Sequence, residues 1–389
     1  MLKSLPFSDW PKSDRLAWEA ACRPAVRLRR GGSASPLVSS TRDDLRKRYG
    51  YFLTFLKDRD RFLPDASCAS LVIPENVGAF VSSMRGAWSA TTLVMTIYKL
   101  KQIARHLAPS ADFKWLSLIA GDLKAEGGPV KQRPIVDASD LVIAGLALVQ
   151  KYSAREGPMD LETALKIRNG LMVALLASCP IRAKNLAGLT LRKSFRFLDS
   201  CWWIDLQGSE TKSGRPDMRM LPEFLNPSLE RYLFEARPLL LSRPNPRAGA
   251  GQITTRDIIP ADKSDAASAA PQSGAAALAS VNVASIPDRV IESADLSGPL
   301  WISRYGNRLT QSSISKVMPS VTEATLGTAI SPHGFRYAAA TTAAWKAGNK
   351  PHLASGILQH HDRRITDASY IRATSFEAAL KLGEILRRG

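Results

Sequence analysis

Residues 201–221, CWWIDLQGSETKSGRPDMRML, are where the chain changes its apolar period from helical recurrence to alternation. Trp202, Ile204 and Leu206 alternate with Trp203, Asp205 and Gln207, SGRP turns the chain, and DMRML alternates again. The pattern predicts a β-hairpin with Lys212 at the end of its first strand. Helical period surrounds it on both sides, so the fold class expected is mainly α with a small β-hairpin or sheet, an α+β arrangement.

The helical part before the hairpin divides in two. In STRDDLRKRYGYFLTFLKDR, Thr41 followed by Asp44 gives a capping-box signal, and Leu45, Tyr49, Phe52, Leu53 and Leu56 recur at helical spacing. A second helix is expected from near Pro74, burying Val77, Phe80, Val81 and Met84. A third places Leu93, Ile97, Leu100, Ile103 and Leu107 on one side and leaves Lys99, Lys101 and Arg105 on another. These define a basic helical domain over 41–124, preceded by a basic arm, 1–40, that contains RPAVRLRRGGSASP. EGGPVKQRP reads as a linker, 125–136, before a second domain over 137–389. That domain opens with helical pattern at Asp137 to Tyr152 and at LETALKIRNGLMVALLASC. Ala, Ser, Gly and Pro dominate about 246–292, the composition of an insertion with little to bury.

Lys plus Arg outnumber Asp plus Glu by 53 to 35 in 389 residues, a net charge of +18. Such a balance calls for a polyanionic partner, and nucleic acid leads. The longest apolar runs, such as LVIAGLALV, are too short to span a bilayer, and the first residues lack the apolar run of a secretory signal, so a cytoplasmic protein with no membrane partner is expected. Cys22, Cys68, Cys179 and Cys201 form no C-x-x-C pair and read as buried thiols.

Candidate chemistry lies in four places. SPHGFRYAAATTAAW begins a helix, with Ser331 as N-cap and Pro332 in the first helical position. His333 and Arg336 then fall three apart on one face near free backbone N–H groups, a natural site for an anion. Arg182 follows an apolar helix in CPIRAKNLAGL, Lys212 sits in SETKSGRP, and LQHHDRRITDASY carries His360, His361 and Tyr370. Singly, each has a plain structural reading: a capping arginine, a turn lysine, a half-buried tyrosine.

Together and in this order, Arg182, Lys212, His333, Arg336, a histidine of ILQHHD and Tyr370 resemble the tyrosine recombinases, or phage-type integrases. The resemblance covers about 135–389, and the helical region before it is similar to the family's core-binding domain. Gln359 replaces the family's usual glycine. Two histidines compete for one role: His360 keeps the Leu-x-His phase and is preferred, while His361 keeps the usual step to the tyrosine.

The resemblance implies a site-specific recombinase that cuts and rejoins DNA through a 3′-phosphotyrosine. Tyr370 would be the nucleophile, Arg182 and Arg336 would stabilise charge on the phosphate, and Lys212 would be the general acid. His333 would accept the tyrosine proton and His360 would bond a phosphate oxygen. No cofactor or metal enters this scheme. A homo-tetramer on DNA is implied, joined through a C-terminal helix after Tyr370, with sister recombinases or an accessory DNA-bending protein as further partners and a mobile element as the setting. The competing expectations are a non-catalytic DNA-binding regulator of the same fold and a type IB topoisomerase.

Overall fold

The computed structural model describes residues 2–28, 30–127, 136–212, 214–243 and 296–346, with side chains to 343. The chain forms two compact units, Met1–Gln132 and Arg133–Gly389. The first is helical: α1 (Lys12–Cys22), α2 (Ser39–Lys57), the short α3 (Cys68–Leu71), α4 (Pro74–Met84), α5 (Ala90–Leu107) and α6 (Leu116–Glu126). The apolar spacing of α2, α4 and α5 puts Leu45, Phe52, Leu53, Val77, Phe80, Ile97, Leu100 and Ile103 into one core. α2 begins two residues before Thr41, behind Val38 and without a side-chain cap, so the capping-box signal at Thr41 is not used.

Residues expected as an arm contribute to this core. Trp10, Trp18, Ala21 and Ala34 are buried in it. The reason is polar as well as apolar. Asp14, 2% exposed, accepts hydrogen bonds from the Tyr49 hydroxyl (2.7 Å) and the Cys68 backbone N–H (2.8 Å). One carboxylate thus ties α1 to α2 and α3, an arrangement that sparse apolar periodicity in α1 did not signal.

The second unit is built on α7 (Ala138–Ser153) and α8 (Leu161–Ser178). Asp137 and Asp160 cap them, accepting from Ser139 N (2.7 Å) and Thr163 N (2.7 Å). α9 (Ala183–Gly188) follows, then an antiparallel sheet in the order β1 (Phe195–Leu198), β2 (Cys201–Leu206), β3 (Asp217–Met220). The hairpin expected from the sequence is β2–β3, paired with Leu206 opposite Asp217. Strand β1 is additional, and its Phe195 and Phe197 join Trp202 on the buried face. α10 (Asn226–Arg231) runs through a wider turn, Tyr232–Ala236, into α11 (Arg237–Leu241), and α12 (Gln311–Leu326) and α13 (Pro332–Lys346) complete the described helices.

Between α11 and α12 the chain re-enters the core at residues 296–303, held by three buried side chains. Arg168 donates to the Ile302 carbonyl (2.7 Å), the Tyr232 hydroxyl donates to the Leu300 carbonyl (2.9 Å), and Arg237 donates to the Pro299 carbonyl (2.9 Å). These bonds, two of them charge-assisted, satisfy a buried extended backbone that has no strand partner long enough to do so. The insertion at 246–292 and most of the 125–136 linker lie outside the described residues. No described helix is long and apolar enough to cross a membrane.

Candidate active site

α8 is buried on every face, and its second half, Leu171–Ala177, is wholly apolar, so its C-terminal end is a fixed point. Cys179, Pro180 and Ile181 turn the chain there, and Arg182 becomes the N-cap of α9, in extended backbone geometry. Pro180 cannot extend α8 by a further hydrogen bond, which is why the break falls where it does. The Arg182 side chain is half-buried and makes no hydrogen bond to a described residue, leaving its fork of donors open.

The other end of α9 is held by a residue that sequence reading missed. Arg308 donates from Nη1 to the carbonyls of Ala187 (3.2 Å) and Gly188 (3.0 Å), and from Nη2 to Thr190 Oγ1 (3.0 Å). A cation on the last carbonyls of a six-residue helix satisfies acceptors that have no intrahelical donor and complements the helix dipole. Its local signal is the turn at Tyr305–Gly306, where Gly306 has φ +76° and the Gly306 N–H bonds the Ser303 carbonyl (3.2 Å).

His333 and Arg336 are positioned by an ordered relay from α12. Thr310 caps α12, accepting from Ser313 N (3.1 Å), and left-handed Gly327 ends it. The Ile330 N–H then bonds Thr322 Oγ1 (2.8 Å), and Ser331 caps α13 by accepting from Gly334 N (3.2 Å), with Pro332 first in the helix as expected. His333 is exposed and packs edge-on against Tyr337, ring centroids 4.8 Å apart. Arg336, 5% exposed, lies one turn further and donates from Nη1 to the Pro180 carbonyl. This bond brings the HGFR and CPIR segments together: Arg336 is anchored two residues before Arg182, across 156 positions of sequence. Further along α13, Thr342 Oγ1 accepts from the Ala138 N–H (2.8 Å) and donates to Asp137 (3.1 Å), fixing the helix to the start of α7.

Lys212 lies beyond the end of β2, not on it: the strand stops at Leu206, and Lys212 is exposed in the connection to β3. Its neighbour Thr211 organises that connection, donating to the Arg215 (2.7 Å) and Gly208 (3.1 Å) carbonyls. A Cβ on Gly208 would stand 2.5 Å from the Gly214 carbonyl oxygen, so a glycine is required where the two sides of the loop meet. Among the described residues no hydrogen bond ties Lys212 to Arg182, His333 or Arg336. His360, His361 and Tyr370 lie outside the described residues.

Two other groups that could compete for chemistry are tied up. Burial pushes the Tyr232 hydroxyl up to about 12, and it both donates to Leu300 and accepts from the Ile302 N–H (3.2 Å). Burial likewise pushes the Cys179 thiol up to about 11, well away from nucleophilic character at neutral pH.

The sequence model of the phage integrase family matches residues 159–376, more than half of the chain. The chain belongs to the phage integrase family. It is a tyrosine-type site-specific recombinase, and the matched span contains every residue from Arg182 to Tyr370 discussed above. Among solved structures, the crystal structure of XerA recombinase matches with a TM-score of 0.37 and 15% identity, covering 90% of this chain and 94% of that one. No curated protein matches the sequence.

Proposed function

We propose that this integrase cuts and rejoins double-stranded DNA through a 3′-phosphotyrosine made by Tyr370. The Tyr370 oxygen forms a bond to the scissile phosphorus as the bond from phosphorus to the 5′-oxygen breaks, so the phosphodiester's energy is kept for religation. His333, exposed at the start of α13, takes the tyrosine proton, and Lys212 supplies one to the departing 5′-oxygen. Rejoining runs the same transfers backwards. Arg182 and Arg336 bind the non-bridging oxygens, where charge accumulates as the phosphorus becomes five-coordinate, and His360 bonds one of them.

The observation that carries this reading is the Arg336 bond to the Pro180 carbonyl, because it sets two guanidinium-bearing segments side by side before any DNA arrives. A preorganised pair of cations costs no rearrangement during the reaction. The helical unit at the N-terminus would act as the core-binding domain, and a homo-tetramer on DNA, assembled through residues after Tyr370, would pair two duplexes; sister recombinases or a DNA-bending protein would join it there. A cytoplasmic enzyme of a mobile element fits this role.

The test is a covalent-adduct assay with nicked duplexes drawn from the DNA flanking the gene, run on a denaturing gel beside Tyr370→Phe. A shifted band is expected with the native chain alone, while Tyr370→Phe keeps its DNA affinity. A band that persists in the variant would mean another nucleophile.

A further inference from the structure

Part of the segment expected to be a basic arm ending in turn formers returns on a fixed base beside α1. The Arg23 carbonyl accepts from the Gly32 N–H (2.9 Å) and the Ala21 carbonyl from the Ala34 N–H (2.8 Å), so the chain leaves α1 and returns beside it. The base leaves no room to adjust: a Cβ on Gly32 would sit 2.1 Å from the Ala20 carbonyl oxygen, and one on Gly31 2.9 Å from the Ala25 backbone nitrogen. Ala34 is wholly buried, Ser33 Oγ meets His106 Nδ1 of α5 (2.8 Å), and Arg42 of α2 donates to the Leu37 carbonyl (2.8 Å).

What this base presents is unusual for a solvated turn. Residues 23–32 contain four arginines and no acid. Val26 is 62% exposed and Leu28 100% exposed, between the exposed Arg23, Arg27 and Arg30. None of these three arginines makes an ion pair with a described residue. An apolar tip flanked by guanidiniums needs a partner that is both polyanionic and apolar at close quarters. The minor groove supplies both, with phosphates on its rims and sugar C–H surfaces on its walls, and its narrowness suits an extended chain better than a helix.

We propose that the Arg23–Gly32 loop inserts into the minor groove of duplex DNA, with Leu28 against the groove wall and Arg27 and Arg30 on the negative potential between the strands. This contact is separate from the phosphate-binding residues of the cleavage site, and it rests on the reading that the chain grips duplex DNA.

The experiment titrates the full chain onto a fluorescent mixed-sequence duplex containing an A·T run, across a range of salt, with and without a minor-groove-filling diamidine. The Arg27→Ala/Arg30→Ala double variant should lower the slope of log affinity against log salt by about 2, close to 0.9 per lost phosphate contact. Leu28→Ala should keep the slope and bind roughly tenfold more weakly. The diamidine should weaken the native chain and leave the double variant nearly unaffected. These side chains face solvent, so unchanged hydrogen exchange in α1 and α5 checks that each variant is folded. An Arg27→Ala/Arg30→Ala variant that matches the native slope, or a Leu28→Ala variant that matches the native affinity, while the native chain binds with steep salt dependence, overturns the loop contact alone. A lower slope with unchanged diamidine competition overturns its placement in the minor groove. A native chain without salt-sensitive binding removes the DNA reading itself, and this proposal with it.

Discussion

Glycine-to-alanine substitutions in two helices of this protein should have opposite signs. α7 and α8 cross at Gly145 and Gly170, where a Cβ on Gly145 would lie 2.6 Å from the Gly170 carbonyl oxygen and 2.7 Å from Ala174 N. Ordinary contacts begin near 3.4 Å, so Gly145→Ala must part the helices by about 0.8 Å, and the obstructing atoms are backbone that no rotamer change can move. The gain from replacing a mid-helix glycine is about 1 kcal/mol. Overpacking costs about 1–3 kcal/mol, toward the upper end here because Leu146, Val149, Leu171 and Ala174 around the crossing lose dispersion contact as a gap opens. The net expectation is a loss of about 1–2 kcal/mol in the second unit. Gly121 in α6 has nothing within 4 Å of its Cβ position, so Gly121→Ala should gain about 0.4–1 kcal/mol in the first unit. Peptide-resolved hydrogen exchange under mild urea reads the two units separately in the full chain. If Gly145→Ala stabilises α7 and α8 as Gly121→Ala stabilises α6, the close backbone crossing is refuted.

Arg308→Ala should free the C-terminal end of α9, whose N-cap is Arg182, at a cost of about 1 kcal/mol for exposed charge-assisted bonds. Single-turnover adduct formation should slow about tenfold with DNA affinity changed less than about twofold, and an equal loss of affinity would show that Arg308 acts on binding instead. His106 titrates in the opposite sense to a paired histidine: burial, then the Arg105 charge, holds its pKa below the ordinary 6.5. Its contribution to stability is therefore present above pH 6.5 and is lost as pH falls through the lower folded value. Urea denaturation of the first unit should show a fall in stability on that side of 6.5 that His106→Gln flattens; an unchanged slope in the variant would assign the effect to other groups.

How much of this was legible in the sequence follows from the range of the forces involved. Helical period found α2, α4, α5, α7 and α8, and alternation found β2 and β3, because each pattern is a local consequence of one buried face. Ser331 and Pro332 announced α13 for the same reason, their chemistry being spent within four residues. Asp14 gave no such signal, since its partners Tyr49 and Cys68 are 35 and 54 residues away and an acid in a first turn reads as dipole complement on the surface. Strand β1 was masked because two alternations of Phe195 and Phe197 are too short to outweigh the helical pattern before them. The site divides along the same line. Arg182, Lys212, His333 and Arg336 could be picked out by type and order, whereas the contact that makes two of them neighbours, and Arg308 which steadies one of them, depend on backbone carbonyls that have no residue-specific signature. Sequence therefore names the groups proposed to meet the phosphate, and long-range bonds to anonymous carbonyls set where Arg182 and Arg336 stand. Mutations in the second class should alter rate while leaving the motif intact, which is the behaviour expected of Arg308→Ala.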